Sequence, residues 1–216
     1  MNINPTVNVN FSSKNATIRF ADNIARKVNQ EFPRISVTRV ESFKNADKFN
    51  QLLENLWSLT HLMREIMKRR FVNSKGGVEK IKNLLNTVKE NQLGNCKESA
   101  QLAIIASKLN GLKLSKIAYV VSPDDHDYDH AVVLVDNYKN PYVIDAWLGF
   151  ADYVPKAIER YQKDFRGCFD FEEAGTEKMK ITEDFGLMQY FLNHQIHPED
   201  IKDVKKLYPD LVLKDK

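Results

Sequence analysis

The chain has 216 residues, 43% of them hydrophobic, with 32 lysines and arginines set against 29 aspartates and glutamates for a formal charge of +3. That apolar content suits one sizeable core and excludes a disordered chain. Charge spread this evenly excludes a dedicated nucleic-acid surface, because the densest basic cluster, MKRR at 67–70, lies inside a helical pattern and reads as a solvated face. Two cysteines, Cys96 and Cys168, make neither a disulfide framework nor a cysteine metal site, and no apolar run approaches the ~20 residues that cross a bilayer. The asparagine-rich start MNINPTVNVNFSSKN lacks the basic and apolar regions of a secretory signal, so a protein made as a soluble one is expected, with reduced thiols, no cofactor, and no membrane or nucleic-acid partner.

Residues 1–15 read as a loose lead. Ile18, Ala21, Ile24, Ala25, Val28 and Phe32 then recur at helical spacing up to Pro33. A second helix is expected over 46–70 with Phe49, Leu52, Leu53, Leu56, Met63, Ile66 and Met67 inside, and a third after Gly76-Gly77 on Val78, Ile81, Leu84, Leu85 and Val88. The run from 97 to 109 is apolar nearly all round, which predicts a helix buried in the centre of a domain, stopped by Asn110-Gly111. The period then changes to three β-type segments at 116–121, 130–135 and 142–147. Helical patterns return at Val154, Ile158, Tyr161 and Phe165, at 183–193 and, after Pro198, at 199–208. No repeat or linker divides the chain, so one α+β domain is expected over 1–216: the lead, a helical part at 16–90, a helix-and-sheet core at 91–150 and a helical part at 151–216.

Cys96 stands at the start of the buried helix, in LGNCKESAQLAIIA (93–106). There the unpaired N–H groups and the positive end of the helix dipole favour thiolate over thiol, which matters because an ordinary cysteine, at about 8.5, is only a few per cent ionised at neutral pH. A packed, inert cysteine is the competing reading. A thiol nucleophile needs an imidazole, and the imidazole an orienting partner. His61 lies among apolar neighbours in the second helix, and His194 and His197 lack further ligands for a zinc site, which leaves His126 and His130. His130 opens one strand and Asp145 lies in the next. With a four-residue loop at 136–139 the two face each other directly, Cβ atoms about 5 Å apart, and a slip of one residue would send them to opposite faces. An aspartate between Ile144 and Ala146 demands a partner, and His130 is the nearest that explains it.

The loop DDHDYDH (124–130) alternates Asp125, Asp127 and Asp129 as a calcium loop begins, but His130 stands where that loop needs glycine. No metal site is expected. The loop reads as an acidic rim, with Asp129 a substrate-binding candidate that favours basic substrates. Cys168, in RGCFDF, reads as structural.

The order of GNCKESA (94–100), HAVVLV (130–135) and VIDAW (143–147), a cysteine heading a buried helix followed by histidine and aspartate on successive strands, resembles the papain-like and transglutaminase-like cysteine enzymes. The resemblance covers about residues 92–150, and its spacings are closest to bacterial transglutaminase-like members. It implies a papain-like or transglutaminase-like core with a helix headed by the nucleophile on an antiparallel sheet. Cys96 would be the nucleophile, His130 the general base and then acid, and Asp145 the orienting group. Gln92 stands near the place of the oxyanion glutamine of papain-like enzymes, with an exposed loop residue as the plain alternative. Transglutaminases use an upstream tryptophan there, but Trp57 falls on the second helix's pattern. Trp147 is a candidate to shield the triad or line the substrate site, against a core role. The implied function is a thioacyl hydrolase or amidase on a protein substrate, a glutamine deamidase or cysteine protease of the bacterial effector type. Such a protein would act on a host protein after Sec-independent delivery. GNCKES also resembles the Cys-plus-Glu segment of arylamine N-acetyltransferases, without their arginine and glycine pair, so an acyltransferase stays open, as does a non-catalytic binding module.

Overall fold

The computed structural model describes residues 16–36, 50–121, 129–137, 140–164, 179–180 and 186–214. The lead at 1–15, Phe49, the acidic loop with Asp125, His126 and Asp127, Phe165 and Cys168 lie outside the described residues. Seven α-helices among the described residues and an antiparallel sheet make the fold α+β.

Helix α1 (Ala16–Glu31) buries Ile18, Ala21, Ile24, Ala25 and Val28, as their spacing predicts, and ends ahead of Pro33, whose ring cannot continue a helix. In α2 (Asn50–Asn73) the buried stripe is Leu53, Thr60, Met63, Met67 and Phe71. Leu52, expected inside, is 48% exposed, since a stripe of this period takes only one of two adjacent leucines, and Leu56 and Ile66 are half-buried. Trp57 is half-buried too and lies against exposed His61, ring centroids 6.0 Å apart. After α3 (Gly77–Asn91) comes α4 (Cys96–Leu109), in which every residue from Glu98 to Leu109 except Lys108 is buried. It touches α1, α3, the sheet and the carboxy-terminal helices, the central position its all-round apolar sequence predicts.

The strands β1 (Ser115–Val121), β2 (Asp129–Val135), β3 (Tyr142–Asp145), β4 (Phe150–Tyr153) and β5 (Met179–Lys180) form one sheet in the order β4-β3-β2-β1-β5. β4 and β5 were not expected: four residues and two residues are too short for a period-two signal. One face, with Ile117, Tyr119, Ala131, Val133 and Ile144, packs on α1 and α4. The other, with Ala118, Val120, Val132, Leu134 and Val143, is covered by α5 (Val154–Asp164) through Val154, Ala157, Ile158 and Tyr161. The chain closes with α6 (Gly186–Tyr190), a π-helical turn over Phe191–Gln195, and α7 (Pro198–Leu207).

The β2/β3 register differs from the expected one. Val133 faces Ile144, Leu134 faces Val143 and Val135 faces Tyr142, two residues displaced from a register that sets His130 against Asp145. The connection is longer than four residues because Asp136 bonds back to Leu114 and Asn140 to Asn137 instead of extending the ladder. A displacement of two preserves parity, so His130 and Asp145 still share a face, as a diagonal pair.

Candidate active site

Helix α4 ends where β1 begins, so it runs back over the sheet and its first turn overlies the end where β1 finishes and β2 starts. His130, second in β2, and Asp145, last in antiparallel β3, lie at that same end. Topology thus gathers three residues distant in sequence.

Asn95 caps α4. Its side chain accepts from the Glu98 backbone, and the Glu98 carboxylate accepts from the Asn95 N–H at 2.9 Å. Gly94 precedes the cap with φ +157, and a Cβ there would stand 2.9 Å from the Glu98 Cβ, so only glycine lets the chain enter this closely. Cys96 opens the helix, half-buried and unoxidised. Its N–H takes part in no hydrogen bond among the described residues, leaving it available to an oxyanion.

His130 and Asp145 are 3% and 1% exposed, with Nε2 and Oδ2 2.7 Å apart. An ionised carboxylate only accepts, so Nε2 carries the proton and Nδ1 is the atom left for the thiol. Burial works against a charged imidazole. The Asp145 charge and hydrogen bond, and the hydrogen bond and charge of Cys96, outweigh it and raise His130 from 6.5 to about 10. Oδ1 of Asp145 accepts from the Leu148 N–H at 2.8 Å, which ties the carboxylate to the turn into β4. That turn closes with the Gly149 N–H on the Asp145 carbonyl at 2.8 Å.

Trp147 and Tyr161 wall the imidazole, with ring centroids 5.2 and 5.4 Å away. The Trp147 Nε1–H donates to Ser36 Oγ at 2.9 Å, and Ser36 donates to Asn95 Oδ1 at 3.0 Å, so the wall and the helix cap are one network. The Tyr161 phenol is pushed well up, by burial first and then by the Asp145 carboxylate. Beside Trp147 lies a cleft of about 270 Å³ lined by Asn29, Phe32, Arg34, Ser36 and Gly94.

Gln92 is an exposed C-cap of α3 at φ 53, its N–H on Val88 and its carbonyl accepting from Ile35. No contact of its carboxamide with Cys96, His130 or Asp145 is among those described. Asp129 starts β2 opposite Val121, and its side chain lies outside the described residues.

Three groups at the site were not singled out from sequence: Glu98, Arg64 and Tyr161. Glu98 had a signal, since Asn95-x-x-Glu98 before an apolar run is a capping-box pattern. Arg64 is one of many charges on an amphipathic helix, and Tyr161 sat on a helical stripe as an ordinary core residue. No helix among the described residues is long and apolar enough to cross a membrane, and no cluster of three or more histidine, cysteine or carboxylate groups able to hold a metal occurs among them. No family model, curated protein or solved structure matches the chain.

Proposed function

We propose that the protein is a thiol hydrolase of the papain-like or transglutaminase-like kind, acting on carboxamide or peptide bonds of a protein substrate through Cys96, His130 and Asp145. The observation that carries this reading is the buried 2.7 Å contact between His130 and Asp145, beside which Cys96 also helps to raise the imidazole. Apolar packing of similar volume would stabilise the fold as well as such a buried pair, which favours a chemical role.

The thiolate sulfur of Cys96 attacks the carbonyl carbon while the imidazolium of His130 keeps its proton on Nδ1. The carbonyl π electrons move to oxygen, and the Cys96 N–H receives that oxyanion. Collapse breaks the C–N bond, and the leaving nitrogen takes the proton from His130. Water then adds to the thioester as neutral His130 accepts its proton. The acid leaves, and the sulfur departs as thiolate. Asp145 holds the imidazole in the one tautomer able to do this.

Incubation of a peptide library with the protein and with its Cys96→Ala variant tests the reading, since mass spectrometry separates cleaved backbones, glutamine-to-glutamate conversions and amine-linked adducts. Conversion by the native chain alone supports it, and its class decides between protease, deamidase and acyltransferase. Alkylation of Cys96 indistinguishable from that of Cys168 at every pH, with no turnover, refutes it in favour of a binding module.

A further inference from the structure

Between α1 and α2 the chain lays residues 34–36 beside residues 92–94, the approach to α4. The Ile35 N–H donates to the Gln92 carbonyl at 2.8 Å and the Gly94 N–H to the Ile35 carbonyl at 3.1 Å, a parallel bridge of Ile35 with Leu93. Side chains alternate along extended backbone, so Ile35 points outward, 52% exposed, while half-buried Arg34 and buried Ser36 turn inward.

Both inward side chains make the same connection. Ser36 Oγ accepts from Trp147 Nε1–H at 2.9 Å and donates to Asn95 Oδ1 at 3.0 Å. Arg34 Nη2 donates to the Ala146 carbonyl at 3.3 Å and to Ser99 Oγ at 2.8 Å, with Nε on that same oxygen at 3.0 Å. Ser99 in turn donates to the Asn95 carbonyl at 2.8 Å. One guanidinium spans both sides because its donors are set in a rigid fork. It is anchored on the Phe32 carbonyl at 2.7 Å and on Asn29 Oδ1 at 3.0 Å, at the end of α1. Each route starts at 146 or 147, just after Asp145, and ends at Asn95, just before Cys96. Capping does not require them, since Asn95 and Glu98 complete the capping box by themselves. Apolar packing of α4 on the sheet is non-directional and tolerates small slides, whereas a reacting constellation must be held to within about 0.5 Å. Directional bonds at the first turn supply that precision.

We infer that Arg34 and Ser36 are positioning residues for the thiol chemistry: they strap the residue before Cys96 to the residues after Asp145, and so hold the nucleophile against the His130–Asp145 pair. This rests on the function proposed above.

The test is iodoacetamide alkylation of Cys96 at pH 5 and pH 9 in the native chain, Ser36→Ala, Arg34→Lys and, as a control, Asn110→Ala, each checked for folding by circular dichroism. Arg34 and Ser36 also line the cleft beside Trp147, and a reagent this small reports on the sulfur without a substrate seated there. Arg34→Lys keeps the charge and loses the fork. Asn110→Ala removes bonds to the Leu211 carbonyl and from the Leu213 N–H, each 2.8 Å, at the far end of α4, and so loosens the helix away from Cys96. At pH 5 both strap variants are expected to react about tenfold more slowly than the native chain, because a displaced thiolate lacks its imidazolium partner and less of the nucleophile is present. At pH 9, where an ordinary thiol is largely ionised unaided, they should match it. Asn110→Ala should keep the native rate at both, and the His130 ring N–H held by Asp145 should persist in the proton NMR spectrum of all four chains. A native rate at pH 5 in either folded strap variant, with a native Cys96 faster than Cys168, overturns this inference alone. Equal slowing in Asn110→Ala, or loss of the His130 signal from the strap variants, also overturns it, by making the strap a matter of general stability. A native Cys96 that alkylates no faster than Cys168 at pH 5 overturns it together with the function proposed above. Should one strap variant not fold, the other decides by the same comparison.

Discussion

Replacing Asp145 by asparagine removes one charge and keeps the shape. Oδ1 of the new side chain still accepts from the Leu148 N–H, now at 2.8 Å from the aspartate oxygen, so the turn retains its tie. The loss falls on His130. Burial lowers it, and Asp145 is the first of the groups that outweigh burial and raise it to about 10. Without that charge burial weighs more heavily and the imidazole loses the raised basicity by which, on the proposed mechanism, it partners a thiolate. On the proposed mechanism the Cys96 thiolate then lacks its imidazolium partner at acidic pH, and less of the nucleophile is present. Part of that loss is returned because a more basic thiolate is a better nucleophile, with a Brønsted slope of about 0.4–0.5. The net expectation is alkylation slower by about tenfold or more at pH 5, with a rate that falls tenfold per pH unit where a flat native rate is expected. Peptide mass spectrometry of the alkylated chain reads both quantities, and Cys168 in the same molecule reports on general access. An Asp145→Asn chain that keeps the flat acidic limb would show that this carboxylate does not hold the imidazolium.

Two further outcomes follow from the same geometry. A group raised on folding from 6.5 to about 10 contributes stability that is complete below pH 6.5 and is lost as pH rises toward and through 10. The urea midpoint of the native chain should therefore fall between pH 7 and pH 10 by more than that of His130→Gln; equal falls would mean that the imidazole is not charged in the folded state. Gly94→Ala should lower the melting temperature more than Gly111→Ala. Both carry positive φ, but the first also drives its Cβ to 2.9 Å from the Glu98 Cβ and 3.3 Å from the Arg34 Cδ, whereas the second meets nothing within 4 Å. The strain at such a position is on the order of 1–3 kcal/mol, and equal melting shifts would refute the close-approach argument.

The parts of the fold legible in sequence were those with a strong period. The apolar faces of α1 and α3 and the all-round apolar α4 named their own burial, and the three long strand patterns named the centre of the sheet. The Asp145 anomaly, a carboxylate among Ile144, Ala146 and Trp147, also pointed to its partner. Contacts decided between distant elements stayed hidden. The register of β2 on β3 depends on where Asp136 and Asn140 bond, which periodicity does not record. Arg64 reaches Glu98 across 34 residues of chain, and nothing on α2 separates it from the other solvated charges there. Tyr161 reads as core in sequence and is core in the structure; only the proximity of Asp145 gives its hydroxyl a further role.

The diagonal placement of His130 has a physical advantage over the direct opposition that the hairpin count suggested. A carboxylate in mid-ladder has its flanking backbone committed to neighbouring strands. Asp145 instead stands at the last rung of β3, where one oxygen holds His130 and the other collects the Leu148 N–H of the turn. The turn and the His130–Asp145 pair are then a single structure, and a change in one must appear in the other. Gly149 tests this. It sits at φ +75, donates to the Asp145 carbonyl, and a Cβ there would come 3.2 Å from Asn29 Nδ2. Alanine at a left-handed position costs about 1–2 kcal/mol, which the turn relieves most easily by moving the Asp145–Gly149 bond. Gly149→Ala is therefore expected to lose stability by that amount in urea titration and also to lose part of the flat acidic limb of Cys96 alkylation, in the direction of Asp145→Asn but less far. Destabilisation with an unchanged alkylation profile would separate the turn from the His130–Asp145 pair and leave the Leu148 contact as packing alone.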